Sequence, residues 1–105
     1  MGTSTAIVLV QADRRFLGDL GERLADLEGV AEAYSVTGDW DFVAIIRLNR
    51  PEDLARVVTT GIARQEGVER TQTLMAFEAF SKHDLDAFFD DWLRDADKPA
   101  WPTRR

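Results

Sequence analysis

Two runs of five consecutive apolar residues constrain the fold of this chain more than any other feature. They are AIVLV at positions 6–10 and FVAII at positions 42–46. Each run is short and rich in β-branched residues, which is typical of a strand. Because successive side chains of a strand point to opposite faces, both faces of these two strands are apolar. The pattern therefore places both strands in the centre of a sheet.

The remaining patterns predict the order strand, helix, strand, strand, helix, strand. Strands are predicted over residues 5–12, 30–37, 41–49 and 68–81. The two helices follow from apolar residues at helical spacing. These residues are Phe16, Leu20, Leu24 and Leu27 in the first helix, and Leu54, Val57, Val58 and Ile62 in the second. The βαββαβ order predicts an α+β, ferredoxin-like fold whose four-stranded antiparallel sheet has the strand order 4-1-3-2.

In this topology both helices pack on one face of the sheet. The opposite face of the central strands is also apolar, with Ile7 and Leu9 on the first strand and Val43 and Ile45 on the third. Such a face would be open to water unless another surface covers it. A second copy of the chain is the simplest cover, which would make a dimeric α/β barrel.

Residues 1–82 are assigned to this domain, and residues 83–105 to a C-terminal amphipathic helix and tail of the same domain. The helix is predicted from four apolar residues at positions i, i+3, i+4 and i+7. These residues are Leu85, Phe88, Phe89 and Trp92. We interpret this aromatic face as closing the core or the dimer seam, with docking of a different partner as the alternative.

Composition excludes several classes of function. The chain of 105 residues has 19 acidic and 13 basic residues, a net charge of −6, which opposes direct binding to nucleic acid. It has no cysteine and its first apolar run is too short for a membrane span, so we expect a cytoplasmic protein without a membrane anchor. His83 is the only histidine and has no nucleophile motif beside it, and no metal-ligand spacing occurs. No enzyme activity, metal or cofactor is therefore predicted.

The charged turn before the third strand is the candidate site. Gly38 and Asp39 are ordinary turn residues. Asp41 is less easily explained, because it follows Trp40 and opens an apolar strand. A carboxylate at the rim of an apolar interface can hold an ammonium group, and the N–H groups of a turn can hold a carboxylate. This is the polar half of an amino-acid site.

The turn also resembles a known family. The segment VTGDWDF at 36–42 is similar to the turn signature of the effector-binding RAM domain of the Lrp/AsnC transcriptional regulators. The segment GVERTQT at 67–73 is similar to the start of that domain's fourth strand. The resemblance implies homodimers that commonly assemble into octamers, with an amino-acid effector bound between dimers. It carries ligand-binding roles to Thr37, Gly38, Trp40, Asp41, Thr71 and Thr73.

In that scheme Asp41 holds the ammonium group, Gly38 exposes backbone N–H to the carboxylate, and the threonines donate hydrogen bonds. The first strand begins close to the N-terminus, so the chain resembles the stand-alone members that lack a helix-turn-helix domain. It would act on transcription only through a partner, for example a full-length Lrp/AsnC-type regulator. A pure assembly module without ligand is one alternative. A dimeric α/β-barrel enzyme, resembling a monooxygenase or isomerase, is the other, and it requires His83 or a buried acid in an internal cavity.

Overall fold

The computed structural model describes residues 4–80 as one antiparallel sheet packed against two helices. The strands are β1 (Ser4–Ala12), β2 (Val30–Ser35), β3 (Phe42–Leu48) and β4 (Val68–Met75). The helices are α1 (Leu20–Ala25) and α2 (Arg56–Ile62), each preceded by a 3-10 turn, at Arg14–Phe16 and Pro51–Asp53. The sheet order is β2-β3-β1-β4, which confirms the predicted order with β1 and β3 in the centre. The helix predicted within residues 83–105, including His83, lies outside the described residues.

The core lies between the helices and one face of the two central strands. Val8 is opposite Ala44 and Val10 is opposite Phe42 in the antiparallel register, and all four are buried. The helices contribute four further buried side chains to the same cluster: Leu20, Leu24, Val57 and Ile62. The predicted alternation is thus confirmed, because one set of alternate positions forms the core.

Two predicted elements have different limits in the structure. The first helix begins only at Leu20, because Asp13 caps a separate 3-10 turn by accepting a hydrogen bond from the backbone N–H of Arg15 (2.8 Å), and Gly18 follows with low helix propensity. The fourth strand was predicted to reach residue 81 but ends at Met75. Its last link to β1 is the N–H of Ala76, which donates to the Thr5 carbonyl at 2.9 Å near the described start of β1.

The second helix is wound more widely than an α-helix. The N–H of Ala63 donates to the carbonyl of Val58 at 2.8 Å, five residues earlier, which is the bond of a π-helix. The apolar spacing predicted which residues of this helix are buried. The spacing could not predict the wider winding, because an α-helix and a π-helix of this length bury nearly the same residues.

The opposite face of the sheet is apolar and is not covered by any element of residues 4–80. Ile7, Leu9, Val43 and Ile45 are only half-buried there. We call these four residues the open face. The outer strands extend it: Tyr34 is opposite Val43 and is 51% exposed, and Leu74 is opposite Ile7 and is 42% exposed. This confirms that the central strands are apolar on both faces.

Asp13 joins the end of β1 to the start of β4. Its N–H donates to the Gly67 carbonyl at 2.8 Å, and its carboxylate accepts hydrogen bonds from the side chain of Arg15 at 3.0 and 3.1 Å. The hydrogen bonds from the Arg15 side chain and then from its backbone N–H lower the pKa of Asp13 to about 2, from an ordinary value of 3.8. The carboxylate is therefore preferred in the charged form when the protein is folded.

Acid is expected to remove the stability that the ionised Asp13 carboxylate contributes to the fold. Because the folded pKa is depressed, the contribution is complete above the ordinary value of 3.8 and is lost as the pH falls towards 2. Urea unfolding midpoints measured across this window should fall less for Asp13→Asn than for the wild type. Arg15→Gln, which removes only the side-chain donor, should behave similarly but more weakly. Identical pH profiles for Asp13→Asn and the wild type would contradict this assignment.

Candidate functional site

The turn between β2 and β3 is closed by its own backbone and tied to β1. The N–H of Val36 donates to the Asp41 carbonyl at 3.0 Å, and the N–H of Asp41 donates to the Val10 carbonyl at 2.9 Å. Gly38 has φ +110°, a conformation that L side chains rarely adopt, and the space around it is open. The turn therefore lies at one end of the sheet, against the last residues of β1.

Asp41 has a structural partner. Its Oδ2 accepts a hydrogen bond from the N–H of Ala12 at 2.7 Å, where the register between β1 and β4 shifts. This bond satisfies a backbone donor that the irregular ladder leaves unpaired. Its other carboxylate oxygen, Oδ1, accepts no hydrogen bond from residues 4–80. One oxygen of this half-buried carboxylate is thus committed to the fold.

Trp40 is joined to β4 by an arginine that the sequence analysis did not select. The guanidinium of Arg70 lies 4.4 Å from the centroid of the Trp40 ring. Its Nε donates to Oε1 of Gln11 at 3.3 Å, and Nε2 of Gln11 donates to the Asp39 carbonyl at 3.2 Å. We call Gln11, Asp39, Trp40 and Arg70 the turn cluster. The only sequence signal for it was the position of Arg70 inside the GVERTQT segment.

The predicted threonines do not join this cluster within one protomer. Thr71 is opposite Val10 and Thr73 is opposite Val8, so both lie on the helix side of the sheet. Arg70 is opposite Gln11 and lies on the other side. The separation follows from the two-residue period of a strand. Thr37 is exposed in the turn, beside Gly38.

Two open clefts described for residues 4–80 lie away from the turn. One of about 230 Å³ lies between the end of α1 and α2, and one of about 190 Å³ lies beside the first residues of β1. In residues 4–80 no charged side chain is buried, no group of acids or histidines has a metal-binding arrangement, and no helix is long and apolar enough to cross a membrane. The buried acid that the enzyme alternative requires is therefore not found in this part of the chain, and His83 lies outside it.

The four strands and the turn fall within the match to one known family. Residues 5–86 match the family model described as the Lrp/AsnC ligand binding domain. The chain belongs to this family. The resemblance noted in the VTGDWDF and GVERTQT segments is thus confirmed. Lrp/AsnC ligand-binding domains oligomerise and bind small effectors.

Solved and curated relatives place the domain in two kinds of protein. TTHA0845 from Thermus thermophilus is 51% identical with a TM-score of 0.71, and the match covers 75% of this chain and 99% of that one. The uncharacterized HTH-type transcriptional regulator PH1916 of Pyrococcus horikoshii is 30% identical over 80 residues, 73% of this chain and 53% of that protein. This chain thus spans about half the length of the curated relatives it matches.

A more distant structure shares the fold alone. The transcriptional regulator NMB0573 of Neisseria meningitidis, solved as a complex with L-Met, has a TM-score of 0.67 at 14% identity. The match covers 75% of this chain and 53% of that chain. The fold is therefore shared by two proteins whose sequences are only 14% identical.

Proposed function

We propose that this Lrp/AsnC ligand-binding domain senses an amino acid or a related small metabolite and passes the signal on through its assembly. The observation that carries the proposal is a polar, solvent-exposed turn fixed to the end of an uncovered apolar sheet face. A ligand at that turn contacts the place where subunits meet, so its binding can alter how they assemble. The module is regulatory and not catalytic.

The open face supports a homodimer. Ile7, Leu9, Val43 and Ile45 form an apolar centre on the two middle strands. The outer strands add polar groups beside it, because Glu32 is opposite Ile45 and accepts a hydrogen bond from the Tyr34 hydroxyl at 2.9 Å, and Gln72 is opposite Leu9. An apolar centre with a polar rim is the anatomy of a protein interface, and a second copy of the same sheet complements it isologously. Larger rings of dimers, up to octamers, belong to the same proposal.

The effector site is proposed at the turn, with Thr37, Gly38, Trp40 and Asp41 as its first contributors. An amino acid as the chemical class of the effector is supported by the Neisseria regulator, which has this fold and was solved as a complex with L-Met. Thr71 and Thr73 face the other side of β4, so they would join the site only from a neighbouring subunit. A site between subunits does not require the predicted residues to converge within one protomer.

Transcription would be influenced through a partner. The net charge of −6 opposes direct contact with DNA, so a DNA-binding protein such as a full-length Lrp/AsnC-type regulator is the proposed partner. TTHA0845 is a precedent for a chain made almost entirely of this domain, since the match covers 99% of it. We assign the protein to the cytoplasm, where such regulators meet their partners.

A pure assembly module is the second candidate, and the turn itself favours it. The Trp40 ring is already occupied by Arg70, and Asp41 already bonds the N–H of Ala12. A turn satisfied from within needs no ligand. The two functions share the same dimer and differ in whether a small molecule binds.

A thermal-shift screen against the twenty L-amino acids separates the two candidates. A ligand that binds only the folded state stabilises it by RT ln(1 + [L]/Kd), about 2.7 kcal/mol at a hundredfold excess over Kd. We expect a selective rise in Tm for one chemical class of amino acid. No shift at millimolar concentration would favour the assembly module.

Two substitutions of Asp41 should separate its charge from its role in the fold. Asp41→Asn keeps an acceptor for the Ala12 N–H and removes the charge, so we expect near-normal stability and about tenfold or greater loss of amino-acid affinity. Asp41→Ala loses both, and we expect it also to be less stable by about 1–3 kcal/mol. Calorimetric titration and urea unfolding measure the two effects. Unchanged affinity in Asp41→Asn would leave Asp41 with its structural role alone.

A further inference from the structure

Arg70 differs from the other arginines in residues 4–80 by the way it is held. Its guanidinium rests on the Trp40 ring at 4.4 Å, and its Nε is bonded to Gln11 at 3.3 Å. Gln11 is in turn bonded to the Asp39 carbonyl at 3.2 Å. Residues of β1, the turn and β4 therefore hold one exposed guanidinium in place.

The rest of this guanidinium is not engaged by residues 4–80. Its two terminal nitrogens make no hydrogen bond there, and no carboxylate there forms an ion pair with it. Arg15, by contrast, also lies over an aromatic ring, that of Phe16 at 5.6 Å, but its fork is closed by the Asp13 carboxylate. An arginine that is held in place but still has a free fork is suited to an external acceptor.

We infer that Arg70 binds the carboxylate of the effector, with Trp40 and Gln11 as positioning residues. This inference rests on the proposed function and adds a residue that neither the turn nor the threonines supply. A guanidinium fork matches a carboxylate through two parallel hydrogen bonds, and a fork already fixed loses less side-chain entropy on binding. The contact with the Trp40 ring adds a cation–π interaction, and the two terminal nitrogens of the guanidinium remain available to the ligand.

The acidic residues of the turn define the ligand further. Asp39 and Asp41 lie in the same turn as Trp40, and Asp39 has no ion pair in residues 4–80. Two carboxylates in the turn that carries Trp40 disfavour a simple anion there and favour a ligand that also carries a positive group. A zwitterionic α-amino acid meets both conditions, with its carboxylate on Arg70 and its ammonium group towards the acids of the turn.

The first test compares ligands on the wild-type protein. Each of the twenty L-amino acids and its carboxamide is titrated by calorimetry, together with acetate as a simple carboxylate. We expect any amino acid that binds to lose at least about tenfold in affinity as its carboxamide, because the amide cannot accept two charge-assisted hydrogen bonds. Acetate should bind more weakly than the amino acid. A carboxamide that binds as tightly as its acid would overturn the inference.

The second test compares variants. Arg70→Gln should weaken the amino acid about tenfold or more and leave the carboxamide unchanged, and Arg70→Lys should restore only part of the affinity because it lacks the planar fork. Arg64→Gln is the matched control, since Arg64 is also exposed and makes no ion pair in residues 4–80. Trp40→Leu should weaken binding, and Trp40→Phe should rescue much of it.

The outcomes separate this inference from the proposed function. If an amino acid binds Arg70→Gln as tightly as the wild type, the role of Arg70 is wrong and the sensor function stands. If no amino acid binds the wild type at millimolar concentration, the sensor function and the inference both fail. Circular dichroism of Arg70→Gln checks that a loss of affinity is not due to unfolding. We expect this variant to fold normally, because Arg70 is exposed.

Discussion

Ile45→Glu should convert the proposed dimer into a monomer. Ile45 lies on the open face, opposite Ile7 on β1 and Glu32 on β2. In an isologous dimer the substitution enters the interface twice, so two carboxylates would be buried there without partners. We expect dimerisation to weaken by at least about a thousandfold, or ~4 kcal/mol. Light scattering at micromolar concentration measures the change in mass.

The protomer itself should tolerate this change. Ile45 is only half-buried within one protomer, whereas its neighbour Ile46 is fully buried on the helix side. The matched control is Ala55→Glu, which adds the same charge at an exposed position before α2 and should remain dimeric. A monomeric wild type, or an Ile45→Glu variant that stays dimeric, would show that the open face is not the interface.

Gly67→Ala should destabilise the fold strongly. Gly67 has φ +100°, and a methyl group there would lie 2.6 Å from both Cβ and Cγ of Phe16. The conformation costs about 1–2 kcal/mol for a residue with a Cβ, and forcing extra volume against packed atoms costs about 1–3 kcal/mol. The Gly67 carbonyl also accepts the Asp13 N–H at 2.8 Å, so movement of this backbone disturbs the junction of β1 and β4.

Urea unfolding provides the measurement, with Gly18→Ala as the matched control. Nothing lies within 4 Å of a methyl group placed on Gly18, and its φ is not in the left-handed region, so the control should be neutral or slightly stabilising. Equal stability of the two variants would contradict the contact with Phe16. Because Arg70 follows the same junction, Gly67→Ala should also weaken ligand binding.

The element order, the strand order and the two-faced apolar strands could be predicted from the sequence. A strand has a period of two residues, so the alternation in AIVLV and FVAII specifies both faces without any long-range information. The segment VTGDWDF was equally informative, because a turn is specified by a few consecutive residues. The family that this segment indicated is confirmed by the match over residues 5–86. The limits of the first helix were not predictable from apolar spacing alone, since Asp13 caps an earlier turn.

The turn cluster was decided by the tertiary structure. Trp40 and Arg70 are thirty positions apart, and they meet because β3 and β4 lie on opposite sides of β1 and both reach its last residues. The same register places Thr71 and Thr73 on the helix side of β4, away from Arg70. The sequence by itself determined which segments form the sheet and that the chain has an apolar face to cover, because these are local periodicities. Which side chains stand together at the end of the sheet depends on how the strands are paired, and strand pairing is a long-range property that only the folded chain specifies.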